Sequence, residues 1–234
     1  MAGEQGYLYE KQCNRTLLKE GLLGKPLNYY GGSDNAKPDG SFIKDGREYK
    51  IEYKLDLKAD LGQASLSYES GRWVITGKNT PESLEIQELM KAAGAEELIN
   101  GRQGWGKRIP NKYKIIDRKV NKKEATEDYK NFPNKYLDVP KGAVNSYYAA
   151  KDTYYIQIGG LGFYYMASNP ANLDVPKFNP YIRIRFRLKA GGSGLEGVDY
   201  YNYRFSVALQ AVTKPNMSNA DITKDVSFLK TEKE

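Results

Sequence analysis

Glu52 and Lys54 sit two residues apart in an alternating stretch from Arg47 to Leu55, where Tyr49, Ile51 and Tyr53 interleave with Lys50, Glu52 and Lys54. A strand has a period of two, so Glu52 and Lys54 share one face. Just upstream, Asp45-Gly46 is the signature of a two-residue type I′ hairpin loop, in which both positions need positive φ. With that loop Lys44 faces Arg47, opposed residue numbers keep a constant sum, and Asp39 faces Glu52. Directly opposed side chains have Cβ atoms about 4.5–5.5 Å apart. Two carboxylates and an ammonium therefore converge. Like charges that close repel unless a cation lies between them. A hard cation such as Mg²⁺ takes carboxylate oxygens and keeps waters for substrate phosphates. A lysine beside it orients or deprotonates a water, or stabilises charge on a phosphate oxygen. The chemistry implied is hydrolysis of a phosphodiester; the bland alternative is a solvent-facing hairpin of alternating charge.

The acid-x-Lys tripeptide also occurs at Glu48-Lys50, Asp56-Lys58, Asp117-Lys119 and Asp128-Lys130 in a chain that is 28% charged. Glu48-Lys50 is the main rival, because it lies on the same strand face, but its register partner is Ile43 rather than an acid. Pro38-Asp39, twelve residues, then Glu52-Tyr53-Lys54 resembles the PD-(D/E)xK nuclease superfamily, the fold of most type II restriction endonucleases. The resemblance implies that Asp39, Glu52 and the main-chain carbonyl of Tyr53 ligate one or two Mg²⁺ ions, with Mn²⁺ as a substitute, and that Lys54 positions or activates the attacking water. Gly6-x-x-x-Glu10 resembles the N-terminal helix of many such nucleases, which brings a glutamate toward the metal site. Gly32-Ser33-Asp34, Asp39 and Phe42, with Gly62-Gln63 about nine residues after Lys54, resemble the active-site approach of the restriction enzyme that cuts GCGC, which adds Gln63 to the site.

Composition narrows the alternatives. The chain has 234 residues, no histidine, one cysteine and a net charge of +7. Without histidine, HNH and other His-metal nucleases, Ser-His-Asp hydrolases and His zinc sites are excluded. A lone Cys13 excludes an intrachain disulfide and a Cys-cluster zinc site, and fits a reducing compartment. The positive balance favours a polyanionic partner. No apolar run reaches the ~18 residues of a membrane span, and no signal-peptide core is present, so the expectation is an intracellular, cytoplasmic protein of prokaryotic or phage origin.

The elements that must position these residues follow in order. Residues 4–23 have helical spacing at Tyr7, Leu8, Cys13, Leu17 and Leu18, with Gly21 or Gly24 as a stop. Residues 28–37 read as a turn-rich lead-in, and 72–77 as a buried strand. Thr80-Pro81-Glu82 starts a helix that carries Leu84, Leu89, Met90 and Leu98 and ends near Gly101. Residues 101–110 read as a basic loop with Arg102, Lys107 and Arg108, suited either to a phosphate backbone or to an ordinary connection; 112–135 read as a solvated helix and loop. Residues 154–158 and 163–167 predict paired strands. From Tyr181 to Leu188 the apolar face alternates with Arg183, Arg185 and Arg187, and Tyr203 to Val212 alternates likewise, with Arg204 and Gln210 on its polar face. Those side chains, with Lys189, make a DNA-contacting surface; the other reading is an edge strand whose arginines discourage aggregation. Lys230 to Glu234 reads as a frayed tail.

The expected fold is a single α/β domain of restriction-endonuclease-like architecture: a mixed central sheet carrying the hairpin, helices at 4–23 and 81–100 packed on it, a catalytic part at 1–140 and a β-rich DNA-contacting part at 141–234. The expected function is a Mg²⁺-dependent endonuclease on double-stranded DNA of the type II restriction kind, with a homodimer admitted. The alternatives are a phage or repair nuclease of the same superfamily that reads DNA structure, and a non-catalytic basic nucleic-acid-binding protein on a nuclease-like fold.

Overall fold

Asp45 and Gly46 take φ of 52° and 72°, both in the left-handed region, as a type I′ turn requires. In the computed structural model, which describes residues 2–24, 38–76, 80–114, 119–191 and 200–230, this turn joins two strands of a longer series. In chain order the elements are α1 (Ala2–Lys19), β1 (Gly40–Lys44), β2 (Arg47–Lys54), β3 (Gly62–Glu69), β4 (Arg72–Ile75), α2 (Pro81–Ala92), α3 (Ala95–Asn100), β5 (Lys119–Asn121), α4 (Lys122–Asn131), β6 (Lys135–Asp138), α5 (Ala143–Ala150), β7 (Tyr155–Ile158), β8 (Gly162–Tyr165), β9 (Ile182–Gly191) and β10 (Tyr200–Ala211). The chain is of mixed α/β class. Among the described residues, no helix is long and apolar enough to cross a membrane.

The chain forms two compact units rather than one body cut near residue 140. The first comprises Met1–Ala59, Val144–Tyr181 and Ala211–Glu234; the second comprises Asp60–Ala143 and Ile182–Gln210. Each has its own sheet, where one central sheet was expected.

In the first unit the sheet order is β1-β2-β7-β8, with β2 parallel to β7 and the outer pairs antiparallel. One face is apolar because every second residue of β2 is Tyr49, Ile51 or Tyr53, and the register sets Tyr155 and Gln157 of β7 beside Ile51 and Tyr53. Onto this face pack Cys13 and Leu17 of α1, and Ile222, Val226 and Leu229 from the last stretch of chain. Tyr155 stacks on Phe163 with ring centroids 5.6 Å apart. Gln157, fully buried, is satisfied by donating to the Tyr9 hydroxyl and to Asp221 Oδ1, 3.0 Å each, while its carbonyl accepts from Ile222 N. The chain is core up to Leu229, and Lys230, the first residue of the expected frayed tail, pairs with Glu20 at 2.8 Å; residues 231–234 lie outside the described residues. Gly21, at φ 69°, ends α1 as expected.

In the second unit the order is β4-β3-β10-β9-β6, with β5 added on β10. Its core gathers Trp73, Trp105, Phe186 and Phe205, with Trp73 and Phe205 centroids 4.7 Å apart. Thr80 and Ser83 form a reciprocal capping box with Pro81 in the first turn. The single helix expected to reach Gly101 breaks at Gly94 (φ 69°) into α2 and α3. These helices, expected on the hairpin-bearing sheet, pack on β3 and β4 of this unit's own sheet. Asn100 pins them by accepting from Trp73 N at 2.6 Å and donating to Trp73 O at 3.0 Å.

Four elements escaped the sequence reading: β3, β5, β6 and α5. The last is a correction to a β-rich region from 141 onward: Val144, Tyr147 and Tyr148 are buried at helical spacing.

Candidate active site

The hairpin pairs as its turn dictates, from Lys44↔Arg47 to Gly40↔Ile51, so the next opposed position sets Asp39 against Glu52. Asp39 is held at two points, and the two residues that hold it are bonded to each other. Its Oδ2 accepts from Tyr53 N at 2.8 Å, its main-chain carbonyl accepts from Asn14 Nδ2 at 3.0 Å, and Asn14 Oδ1 accepts from the Tyr53 hydroxyl at 2.9 Å. Gly40 makes room for this clasp, since a Cβ there would stand 2.3 Å from the Tyr53 hydroxyl and 2.5 Å from Asn14 Oδ1. The residue that the register sets against Tyr53 is Pro38, which has no N–H to give the Tyr53 carbonyl.

Glu52 is buried and multiply bonded. Its Oε1 pairs with Lys54 Nζ at 2.6 Å and its Oε2 with Lys151 Nζ at 3.2 Å. The Tyr148 hydroxyl also hydrogen-bonds it. Burial alone would raise the Glu52 pKa, but the charges of Lys54 and Lys151 and their hydrogen bonds hold it below its ordinary value. Lys54 suffers the same burial, yet Glu52 first and Asp39 second hold its ammonium above its ordinary pKa. On Asp39, burial followed by the nearby Glu52 charge outweighs the pull of Lys54 and pushes it up to about 7. Glu10 of α1, where burial outweighs the pull of Lys54, also rises to about 7. Asp39 and Glu10 are thus pushed up while Glu52 is held down.

The rival tripeptides have other occupations. Glu48 accepts from Ser41 Oγ at 2.6 Å and stands opposite Ile43; Lys50 pairs with Asp152 at 2.8 Å. Asp56 accepts from the main chain of its own turn, Lys58 N and Ala59 N. Asp128 pairs with Lys112 and the Tyr113 hydroxyl, whereas Asp117 lies outside the described residues, as do Gly32, Ser33 and Asp34. Gln63 lies on β3 of the second unit, opposite Ala208.

The expected DNA-contacting residues divide. Arg183 donates through Nε and Nη2 to Gln210 Oε1 at 3.0 and 2.9 Å and lies over the Tyr136 ring at 3.7 Å. Arg185 and Arg187 share the Asp60 carboxylate. Strand β9 runs between β10 and β6, so it is not an edge strand; the repulsion along its arginine face is relieved by Asp60 and Gln210. In the basic loop, Trp105 is buried and Lys107 Nζ donates to Gly71 O at 2.9 Å, while Arg102 and Arg108 are exposed. Lys189 and Arg204 fall on β9 and β10, but their side chains lie outside the described residues.

Among the described residues, no three His, Cys, Asp or Glu side chains converge as an all-protein metal cage. What converges is two opposed carboxylates and a main-chain carbonyl whose register partner is a proline. That donor set fits a hard divalent cation that completes its shell with water and phosphate oxygens. Lys151 and Tyr148 are the members the sequence did not reveal, and Lys151 is 99 residues from Glu52. Compared with known proteins, the chain matches no family model, no curated protein and no solved structure.

Proposed function

We propose that this chain is a divalent-metal-dependent endonuclease that hydrolyses phosphodiester bonds of double-stranded DNA, in the manner of type II restriction enzymes of the PD-(D/E)xK superfamily. The observation that supports it is the convergence of Asp39, Glu52 and Lys54 on one strand face, with Asp39 clasped by Tyr53 and Asn14. In this reading Asp39, Glu52 and the Tyr53 carbonyl hold Mg²⁺, which supplies charge to the phosphate and acidity to a bound water. Lys54 enters as an ammonium, so it orients the water and stabilises charge on the phosphate rather than acting as the base. The net charge of +7 supports a polyanionic substrate.

A second reading has its own support: both Glu52 oxygens carry lysine partners, as in a purely structural charge cluster on a DNA-binding protein. Incubation with plasmid and Mg²⁺ separates the readings. Discrete fragments indicate a sequence-specific enzyme, a smear indicates a nuclease that reads DNA structure, and intact plasmid under Mg²⁺ and Mn²⁺ supports the non-catalytic protein. Glu52→Gln must lower cleavage by several orders of magnitude if the metal reading holds. Full activity in excess EDTA overturns it.

A further inference from the structure

Lys151 is the member of the centre for which the chemistry above has no use. Its side chain is 9% exposed, and its ammonium bonds Glu52 Oε2 at 3.2 Å and lies 5.5 Å from the Tyr148 ring centroid and 5.8 Å from that of Tyr147. The turn that carries it is fixed: Lys151 N donates to Tyr148 O at 3.1 Å, Thr153 N donates to the same carbonyl at 2.9 Å, and Asp152 sits at φ 53°. A lysine so placed costs its solvation and its rotamer freedom, and for a mere surface turn neither cost is needed.

The two lysines hold Glu52 unequally. Lys54 is 2.6 Å from Oε1 and is further attracted by Asp39 and Glu10. Lys151 stands 3.2 Å from Oε2. A divalent cation that takes Glu52 must displace one ammonium, and the looser one yields first. The two aromatic faces then keep the released ammonium at the centre, since a ring face attracts a cation without binding its N–H groups.

We propose that Lys151 is a built-in counter-ion that occupies the metal's place on Glu52 and moves onto the phosphate oxygens when metal and DNA bind. The inference rests on the metal-dependent reading of the site. Before loading, Lys151 adds a second positive charge to a buried carboxylate whose other partner, Lys54, is shared with Asp39. After loading, the same charge faces the phosphate, where it is worth most in the transition state. Lys151 is thus a competitor for metal and an aid to turnover.

Those two effects have opposite signs, which makes the proposal testable without relying on activity. Mn²⁺ binding to the intact protein, followed by electron paramagnetic resonance without DNA, reads the competition directly. Lys151→Gln removes the competitor and should tighten Mn²⁺ roughly tenfold, while lowering Mg²⁺-supported turnover by roughly a hundredfold. Lys151→Arg places a bidentate fork on Glu52 and should weaken Mn²⁺ roughly tenfold. A residue that only shapes the fold would not move affinity in opposite directions. Glu52→Gln should weaken Mn²⁺ in every background. Mn²⁺ affinity unchanged or weakened in Lys151→Gln overturns the proposal while leaving the metal reading intact. If Lys151→Gln does not fold, Lys151→Arg decides: unchanged affinity there overturns it. Absence of Mn²⁺ binding to the unaltered protein overturns the metal reading and this inference together.

Discussion

Asp39 and Glu52 face each other, yet their protons are governed in opposite senses, and substitutions should expose this. Asp39 rises from an ordinary 3.8 to about 7, first through burial and then through Glu52. Between about pH 4 and pH 7 the folded chain therefore binds more protons at Asp39 than the unfolded chain does, and metal-free stability falls as pH rises through that window. Glu10, pushed up to about 7, adds to the same slope. Urea unfolding in EDTA at pH 5 and pH 8 should show this loss, and Asp39→Asn should shrink it; an identical loss in the variant refutes the assignment. Glu52 behaves differently. It is 5% exposed and bridges two lysines, so neutralising it strips Lys151 of its carboxylate and leaves Lys54 only the weaker pull of Asp39 and Glu10. From sequence, relief of carboxylate repulsion suggests that Glu52→Gln is neutral or stabilising; the lysine bridge reverses this, and the expected loss is about 3 kcal/mol. Gly40→Ala should also destabilise, because its Cβ displaces the Tyr53 hydroxyl and Asn14 that clasp Asp39.

At the level of elements, what was legible in the sequence is what local chemistry determines. Asp45-Gly46 specifies a turn, the turn specifies a register, and the register brings Asp39 to Glu52. Gly46→Ala, which forces a side chain onto φ 72°, should therefore cost about 1 kcal/mol and reduce metal binding along with stability. Thr80→Ala, which removes one arm of a capping box, should cost about 1 kcal/mol in thermal or urea unfolding but leave metal binding alone. The sequence was silent where partners are distant. Lys151 and Tyr148 reach Glu52 because the following strand, β7, lies parallel to β2, and no local pattern announces a partner 99 residues away. The arginine alternation marks β9 as a strand, but its role is not legible from it, because Asp60 lies 125 residues from Arg185. Helix α5 was hidden by tyrosines, which favour strands by propensity and here pack at helical spacing.

For the whole molecule, net charge and paired charge must be separated. The chain carries +7, but Arg185 and Arg187 are 14% exposed and committed to Asp60, whereas Arg102 and Arg108 are exposed. If the chain binds DNA as proposed, replacing Arg102 and Arg108 by Ala should flatten the salt dependence of that affinity by roughly 0.9 log-log units for each phosphate no longer neutralised. Replacing Arg185 should instead lower stability and leave the slope unchanged; a shallower slope at full stability would show that it reaches phosphate. The units are also interleaved, since three stretches make the first and two make the second. A fragment ending near residue 140 therefore lacks the β7 partner of β2, along with Lys151 and Tyr148, and should neither unfold cooperatively nor bind Mn²⁺.

That interleaving has a further consequence for a chain emerging from a ribosome. Domains ordinarily fold as they are made, at ~5–20 residues per second. Here Glu52 must wait for Lys151, 99 residues later, a delay of about 5–20 s at that pace. Gln157 then waits for Asp221 and Ile222 before its buried amide is satisfied, and α1 waits for Ile222, Val226 and Leu229 to complete its packing. Nascent chains therefore carry Asp39, Glu52 and Lys54 without the sheet that aims them. For a chain that cuts DNA as proposed, late closure of the sheet acts as a timer: unfinished copies are harmless to any DNA nearby, and cutting begins only once the chain through Leu229 has left the exit tunnel.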